Sequence, residues 1–395
     1  MPIGVYNYVI FIYQKVSIIF MTSPIRILQA TVSNDKGGLT GYICQNYRYL
    51  DKSKVQFDFL TYETQLDFQE EFEKMGARFY VVPKPSRFWA YIKALKQIRE
   101  VNEYGAVHFN ISYANWLTLL AAKWVGFQRI IVHSHSTEID DKRKLVRGMK
   151  KCIHHVGKML MPALGTDFLA CSQLAGRWMY PDSILQGKKY HLAKNAINLE
   201  KYRFNSAMRK AVRQELGIGE NEFCIGHIGR FNYQKNHAFL IDIFYKLLKV
   251  CPNAKLLLIG DGPYLFNIKR SVTELRIEDS VFFLGRRNDV PQLLQAMDCF
   301  VLPSRFEGLP IVGVEAQAAG VPCIVSDAIT RELNINGLVR FVSLRDKEKW
   351  VNSIMAYHGF TKRDQLEKLR NAGYDISLGV NRLVNFYENI VTSHS

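Results

Sequence analysis

SRFEGLPIVGVEAQAAGVP, residues 304–322, decides how this chain folds. It follows the apolar run CFVL at 299–302 and leads into CIV at 323–325, so it reads as the loop and helix between two strands. Pro310 suits the first helical turn, where its missing amide would be unpaired in any case. Glu307 then falls in the loop and Glu315, eight residues on, in the helix. The amides of Leu309, Ile311 and Val312 at such a helix start form an anion site suited to a diphosphate. Glu307 is placed to hydrogen-bond sugar hydroxyls and Glu315 a ribose. The plain alternative is an ordinary strand-loop-helix unit with two solvated glutamates.

Working outward, short apolar runs at 223–228, 254–259, 281–284, 299–302 and 323–325 alternate with helical segments. The same alternation runs earlier, with strands expected at 25–30, 56–60, 77–82, 106–109, 129–133 and 167–171. Between them, residues 87–101 place Phe88, Tyr91, Ile92, Leu95 and Ile98 on one helical face. Alternating strand and helix implies parallel, doubly wound sheets. A chain of 395 residues exceeds what one core usually supports, and the polar stretch 195–205 divides the two series. The expected class is therefore α/β, with two Rossmann-like domains at 21–200 and 201–375. Ligands in such folds bind beyond the carboxyl ends of the strands, so the two halves should face one another across a cleft.

Further motifs fall at those strand ends. GHIGRFNYQKN at 226–236 sends Arg230 and Lys235 toward the cleft. Two fixed cations there would stabilise the charge gathering on a departing nucleoside diphosphate without a metal. IGDGP at 259–263, with Gly262, and FLGR at 283–286, with Arg286, are glycine turns that let backbone approach a ligand. KGGL at 36–39, with Gly38, follows the first strand, and HSHST at 133–137 follows another. His133 and His135 could be read as metal ligands, yet no acidic or cysteine cluster of ligand spacing accompanies them.

The 304–322 run, with Glu307, Gly308, Pro310, Glu315, Ala316, Gly320 and Pro322 in place, resembles the E-x7-E signature of retaining glycosyltransferases of family four, the glycosyl transferases group 1, which have the GT-B fold. The resemblance covers essentially everything from Ile25 onward, is strongest over 221–327, and looks most like the bacterial exopolysaccharide and capsule branch. It implies that Arg230 and Lys235 bind the donor diphosphate, and that Glu307, Gly308, Leu309, Pro310, Ile311 and Glu315 hold the donor. Gly38 and Gly262 would approach its phosphates, and the main chain near Arg286 its base. His135 aligns with the family's active-site histidine, so His135, Arg230, Lys235 and Glu307 are the expected catalytic set. The resemblance further implies retention at the anomeric carbon with no protein nucleophile, no metal or other cofactor, and a last helix, 376–395, crossing back to the first domain. Two departures stand out. Leu39–Thr40 replaces an acidic residue many relatives carry, and NAIN at 195–198 lacks their glycine and aspartate at the interdomain junction.

Residues 1–205 hold 28 Lys and Arg against 16 Asp and Glu, whereas residues 206–395 hold 24 against 20. Such a surface attracts polyanions of any kind. Much of it is KRKLVRGMKKCIHHVGK at 142–158, whose seven cations accompany Leu145, Met149, Cys152, Ile153, Val156 and, just beyond, Leu160 at helical spacing. This basic amphipathic helix either packs its apolar side into the core or lies on anionic lipid, and either way can present Lys150 and Lys151 to a membrane or an acceptor pyrophosphate. The seven scattered cysteines fit buried, reduced thiols. The apolar stretch nearest to a membrane span, 8–20, is broken by Gln14 and Lys15, and Met21 reads as the expected translation start. Taken together, the expectation is a cytoplasmic hexosyltransferase at the inner face of the plasma membrane. It would carry sugar from a nucleotide donor, with uridine diphosphate as the expected carrier, to a lipid-linked saccharide. The rivals are a sugar-nucleotide epimerase of the same fold and a non-enzymatic polyanion-binding protein; no nucleic-acid motif is present.

Overall fold

The structure, a computed structural model, describes residues 23–34 and 38–392. Lys36, Gly37 and the expected start near Met21 lie outside the described residues. Seven strands, β1 (Ile25–Val32), β2 (Val55–Thr61), β3 (Phe79–Val81), β4 (Ala106–Ile111), β5 (Ile130–Ser134), β6 (Asp167–Ala170) and β7 (Tyr190–Leu192), form one sheet in the order β3-β2-β1-β4-β5-β6-β7. Six more, β8 (Phe223–Ile228), β9 (Ala254–Ile259), β10 (Val281–Gly285), β11 (Cys299–Leu302), β12 (Cys323–Ser326) and β13 (Val339–Val342), form a second in the order β10-β9-β8-β11-β12-β13. Neighbouring strands run parallel in both. Strand order reverses between β1 and β4 and between β8 and β11, the crevices where doubly wound sheets bind ligands.

Helices on both faces bury most of the central strands, which explains their largely apolar runs. β8 is buried at every position, and β2 is too, although it carries Asp58. That carboxylate accepts from Arg26 Nη1 (2.6 Å), Tyr104 Oη (2.8 Å) and the Arg78 amide (3.0 Å). A buried charge survives only with such partners. β7 and β13 were not expected. Both are short edge strands, and the runs YHL and VRFV are interrupted by solvent-facing positions.

The last helix, Ile376–Thr392, packs Val380, Leu383, Val384, Tyr387 and Ile390 into the core of the first sheet, as expected. The chain thus passes twice between the halves, and the two passages touch. Ile197 N donates to Tyr374 O and Ile376 N to Ile197 O, both at 2.9 Å. Gln45 Nε2 donates to Ala196 O (3.0 Å) and Asn198 Nδ2 to Tyr49 Oη (2.6 Å), pinning the departing NAIN segment to the first half.

The basic helix forms as Lys144–Leu164, but its apolar stripe is not in the core. The residues it buries are His154, Gly157, Met161 and Leu164. Leu145, Met149, Ile153, Val156, Met159 and Leu160 are exposed, Leu145 at 79%. Periodicity revealed an apolar face; the core face is a different one, made by Gly157, Met161, Leu164 and His154, which accepts from Ala114 N (3.1 Å) and is stacked on Trp178 at 3.9 Å. Its cations also differ from expectation. Lys150 pairs with Asp141 (3.1 Å) and Lys151 with Glu138 (2.8 Å), while Lys142 and Arg147 lie over the rings of Tyr264 and Tyr233 in the second half. Cys152, on the same helix, is exposed; the other six cysteines are buried, and no disulfide joins any of the seven.

Candidate active site

The loops leaving β8 and β11 meet at the second sheet's reversal point. Glu307 is 7% exposed and sits on the loop ahead of the helix Ile311–Ala318. Lys235 Nζ reaches its Oε1 at 2.6 Å, and Gln234 Nε2 donates to its Oε2 at 3.0 Å. The two expected site residues are therefore in contact, each satisfying the other's buried charge. Arg230 is exposed at the mouth of the same loop, where its charge helps hold down the carboxyl of Asp140, which burial pushes up. Asp140 comes from the first half and accepts from Asn232 Nδ2 (2.7 Å) and the Gln234 amide (3.2 Å).

Three consecutive carbonyls of the Glu307 loop are held by side chains of the first half. Thr137 Oγ1 donates to Glu307 O (3.1 Å), Ser172 Oγ to Gly308 O (2.8 Å) and Asn195 Nδ2 to Leu309 O (2.9 Å). Ser172 meanwhile caps the helix Gln173–Met179 by accepting from Ala175 N (3.1 Å), which fixes its hydroxyl. Gly308 must be glycine for this approach: a Cβ there would lie 2.3 Å from His135 O and 2.8 Å from Cys171 Sγ.

Pro310 precedes the helix rather than opening its first turn, with extended ψ (113°). Gly313 N already donates to Pro310 O (3.0 Å), so the amides of Ile311 and Val312 head the helix. The Leu309 amide is committed elsewhere, to the Cys171 thiol, which burial pushes up to about 12. Glu315 accepts from Tyr202 Oη at 2.6 Å; burial pushes its carboxyl up while this hydroxyl draws it back. Gly262 (φ +153°) packs so closely on the Arg230 loop that a Cβ would meet Phe231 N and O at 2.7 Å, and Gly260 N donates to Gly285 O (2.8 Å). Arg286 is exposed, its Nε 3.5 Å from Asp261. The two glycine turns thus brace the loop that carries Arg230.

From the first half, Gly38 begins the helix Gly38–Tyr49, with open space where a Cβ would go. His135, just past the end of β5, is partly buried, with Nε2 2.9 Å from the accepting Asn110 Oδ1. His133 is fully buried, its ring tilted 36° against that of His135 with centroids 4.0 Å apart, and neither of its ring nitrogens is hydrogen-bonded. Among the described residues no three His, Cys, Asp or Glu side chains gather as metal ligands.

Residues 208–354 match the family model for glycosyl transferases group 1. The protein named glycosyltransferase EpsF in Bacillus subtilis (strain 168) is 34% identical over 381 residues, spanning 93% of this chain and 97% of its own. The chain belongs to the glycosyl transferases group 1. Glycosyl transfer is thus its activity. An Escherichia coli UDP-Gal:α-D-GlcNAc-diphosphoundecaprenol α-1,3-galactosyltransferase is 29% identical over 71% of this chain and 74% of its own. The crystal structure of Anabaena HepE with UDP and glucose shares the transferase's fold, with a TM-score of 0.68, 18% identity, and coverage of 93% of this chain and 97% of that one. The GT-B architecture is therefore that of this transferase.

Sequence reasoning missed Asp140, Gln234, Tyr202, Thr137, Ser172 and Asn195. For Gln234 and Tyr202 a signal existed in their place beside Lys235 and at the interdomain junction. Nothing local marks the other four as partners of backbone carbonyls or of the opposite domain.

Proposed function

We propose that this transferase moves a hexosyl unit from a uridine diphosphate sugar to a lipid-linked saccharide, with retention and without a metal, in exopolysaccharide or capsule synthesis. The observation that carries the reading is the contact of Lys235 with Glu307 ahead of the Ile311–Ala318 helix, at the reversal point of the second sheet, with Arg230 exposed on the same loop as Lys235. There the two cations would take the diphosphate with the Ile311 and Val312 amides, and Glu307 the sugar hydroxyls. Glu315 would hold the ribose, the main chain near Arg286 the base, and Gly38 would leave room for a phosphate. His135 faces the sugar or the reacting hydroxyl. The lipid-linked acceptor is supported by the galactosyltransferase's substrate and the exopolysaccharide or capsule role by the likeness to EpsF.

Binding of a panel of nucleotide sugars in the presence of a chelator tests this. One uridine diphosphate sugar should bind, and Glu315→Gln should weaken it about tenfold, the loss of one charge-assisted hydrogen bond. Product with inverted anomeric configuration, or binding that requires divalent metal, would overturn the reading.

The apolar stripe of the Lys144–Leu164 helix supports a membrane-facing first half. Trp124 (63% exposed) and Trp89 (68%) meet edge-to-face at 5.7 Å on the helices Trp116–Val125 and Phe88–Glu100, in the layer that packs beside it. Exposed tryptophans beside an apolar stripe and lysines suit a lipid headgroup boundary. Among the described residues no helix is long and apolar enough to cross a membrane. Met149→Asp with Met159→Asp should reduce co-sedimentation with phosphatidylglycerol vesicles at least about tenfold while leaving donor binding intact. Unchanged co-sedimentation would remove the membrane from the proposal.

A further inference from the structure

Behind His135 runs a buried polar chain that ends on the last helix. Asn110 Oδ1 faces His135 Nε2 (2.9 Å), and its Nδ2 donates to Gln29 Oε1 (3.0 Å). Gln29 Nε2 donates to Tyr387 Oη (3.1 Å), and Tyr387 Oη lies 2.7 Å from His108 Nδ1. Asn110, Gln29, Tyr387 and His108 are each at most 4% exposed, so water does not compete for these groups.

The chain has one direction. With its nitrogen turned to Gln29, Asn110 offers His135 an oxygen, which only accepts; the imidazole must donate from Nε2. With Gln29 donating to it, Tyr387 can pass its own proton on to His108 Nδ1. Burial pulls both His108 and His135 down to about 3, so each ring is neutral and carries one proton. A neutral His135 protonated on Nε2 has a bare Nδ1. Among the described residues Nδ1 takes no hydrogen bond, and the His133 ring at 4.0 Å and the Tyr42 ring at 5.0 Å confine the imidazole.

We infer that Asn110, Gln29 and Tyr387 are positioning residues that hold His135 protonated on Nε2 and present Nδ1 to the cleft as an acceptor for a substrate hydroxyl. This rests on the proposed place of His135 in the reaction site. The crossing helix then has a chemical link to the cleft as well as a packing role, because Tyr387 accepts from Gln29 and so joins the helix to the chain.

The test uses the full chain labelled with 15N-histidine, with His135 assigned by loss of its signals in His135→Gln. Wild type should show a protonated Nε2 and a bare Nδ1, and Asn110→Leu should lose that preference. With the donor identified above, Asn110→Leu should lower kcat about 10- to 100-fold, within the range a positioned proton-handling group contributes, with donor KM little changed. Asn110→Asp, which keeps an accepting oxygen, should recover most of that loss, and Tyr387→Phe should show a smaller fall in kcat. Protonation of Nδ1 in the wild type overturns the inference. So does an inactive His135→Gln alongside Asn110→Leu and Tyr387→Phe that match wild type in kcat and tautomer, an outcome that leaves the role of His135 standing. Wild-type kcat in His135→Gln overturns that role and the inference with it.

Discussion

Lys235→Ala is expected to lower turnover about 100- to 1,000-fold, the loss seen when one fixed donor to a developing charge is removed. It should also destabilise the fold. Loss of Arg230, exposed at the loop's mouth, is expected to spare folding. Lys235 is different, because its partner Glu307 has a side chain only 9% exposed and Lys235 itself one of 14%. Removing one member of a buried pair strands the other's charge, at a cost of about 3–5 kcal/mol. Gln234 Nε2 still donates to the carboxylate, which places the effect at the lower end. A fall in melting temperature of roughly 10 °C follows from the usual entropy of unfolding. Lys235→Met combined with Glu307→Gln should recover most of the stability and none of the turnover. Thermal melts and initial rates on the three proteins decide it: a Lys235→Ala protein with wild-type melting and wild-type rate would show that the pair is neither buried nor engaged with substrate.

Gly308→Ala should be nearly as damaging for a different reason. Its new methyl would meet His135 O at 2.3 Å, and backbone cannot step aside as a flexible side chain can. Overpacking of this kind costs about 1–3 kcal/mol. Relief comes by moving the Glu307 loop away from the first half, which shifts the Glu307 carboxylate relative to His135. A displacement of about 1 Å in a reacting geometry is enough for a 100-fold loss of kcat. Nucleotide binding should survive, since Arg230, Lys235 and the Ile311–Ala318 helix all belong to the second half. Gly148→Ala serves as the control: on an exposed helix with open space around it, it should be neutral or stabilise by up to about 1 kcal/mol. Calorimetry with uridine diphosphate and steady-state rates separate the two effects, and a Gly308→Ala enzyme with unchanged kcat would refute the tight approach.

How much of this was visible beforehand depended on whether the signal was local. The ends of β8, β9 and β11 fall where the apolar runs end, because a strand buried on both faces is apolar over most of its length, His227 and Lys255 being the exceptions. The contact of Lys235 with Glu307 was half legible: both were assigned to one cleft, but as ligands of separate parts of a donor and not as partners of each other. β7 and β13 were illegible, since edge strands of three and four residues need not be apolar throughout. The Lys144–Leu164 helix was found, yet its inward face was misjudged, because a period of 3.6 reveals that a stripe exists and not what covers it. Thr137 and Asn195 lie in motifs that were singled out, yet their roles, like that of Ser172, could not be read, for they bind carbonyls, and every residue has one.

The adjacency of the two passages between the halves carries a mechanical consequence. Because Ile197 and Ile376 are hydrogen-bonded to each other's segments, the connections act as one hinge and not as two separate tethers. A body suspended at a single hinge swings but cannot readily slide. The substrate cleft can then gape at its mouth, releasing the grips of Thr137 and Ser172, while the hinge end keeps its alignment, and each closure returns Gly308 to His135 along the same arc.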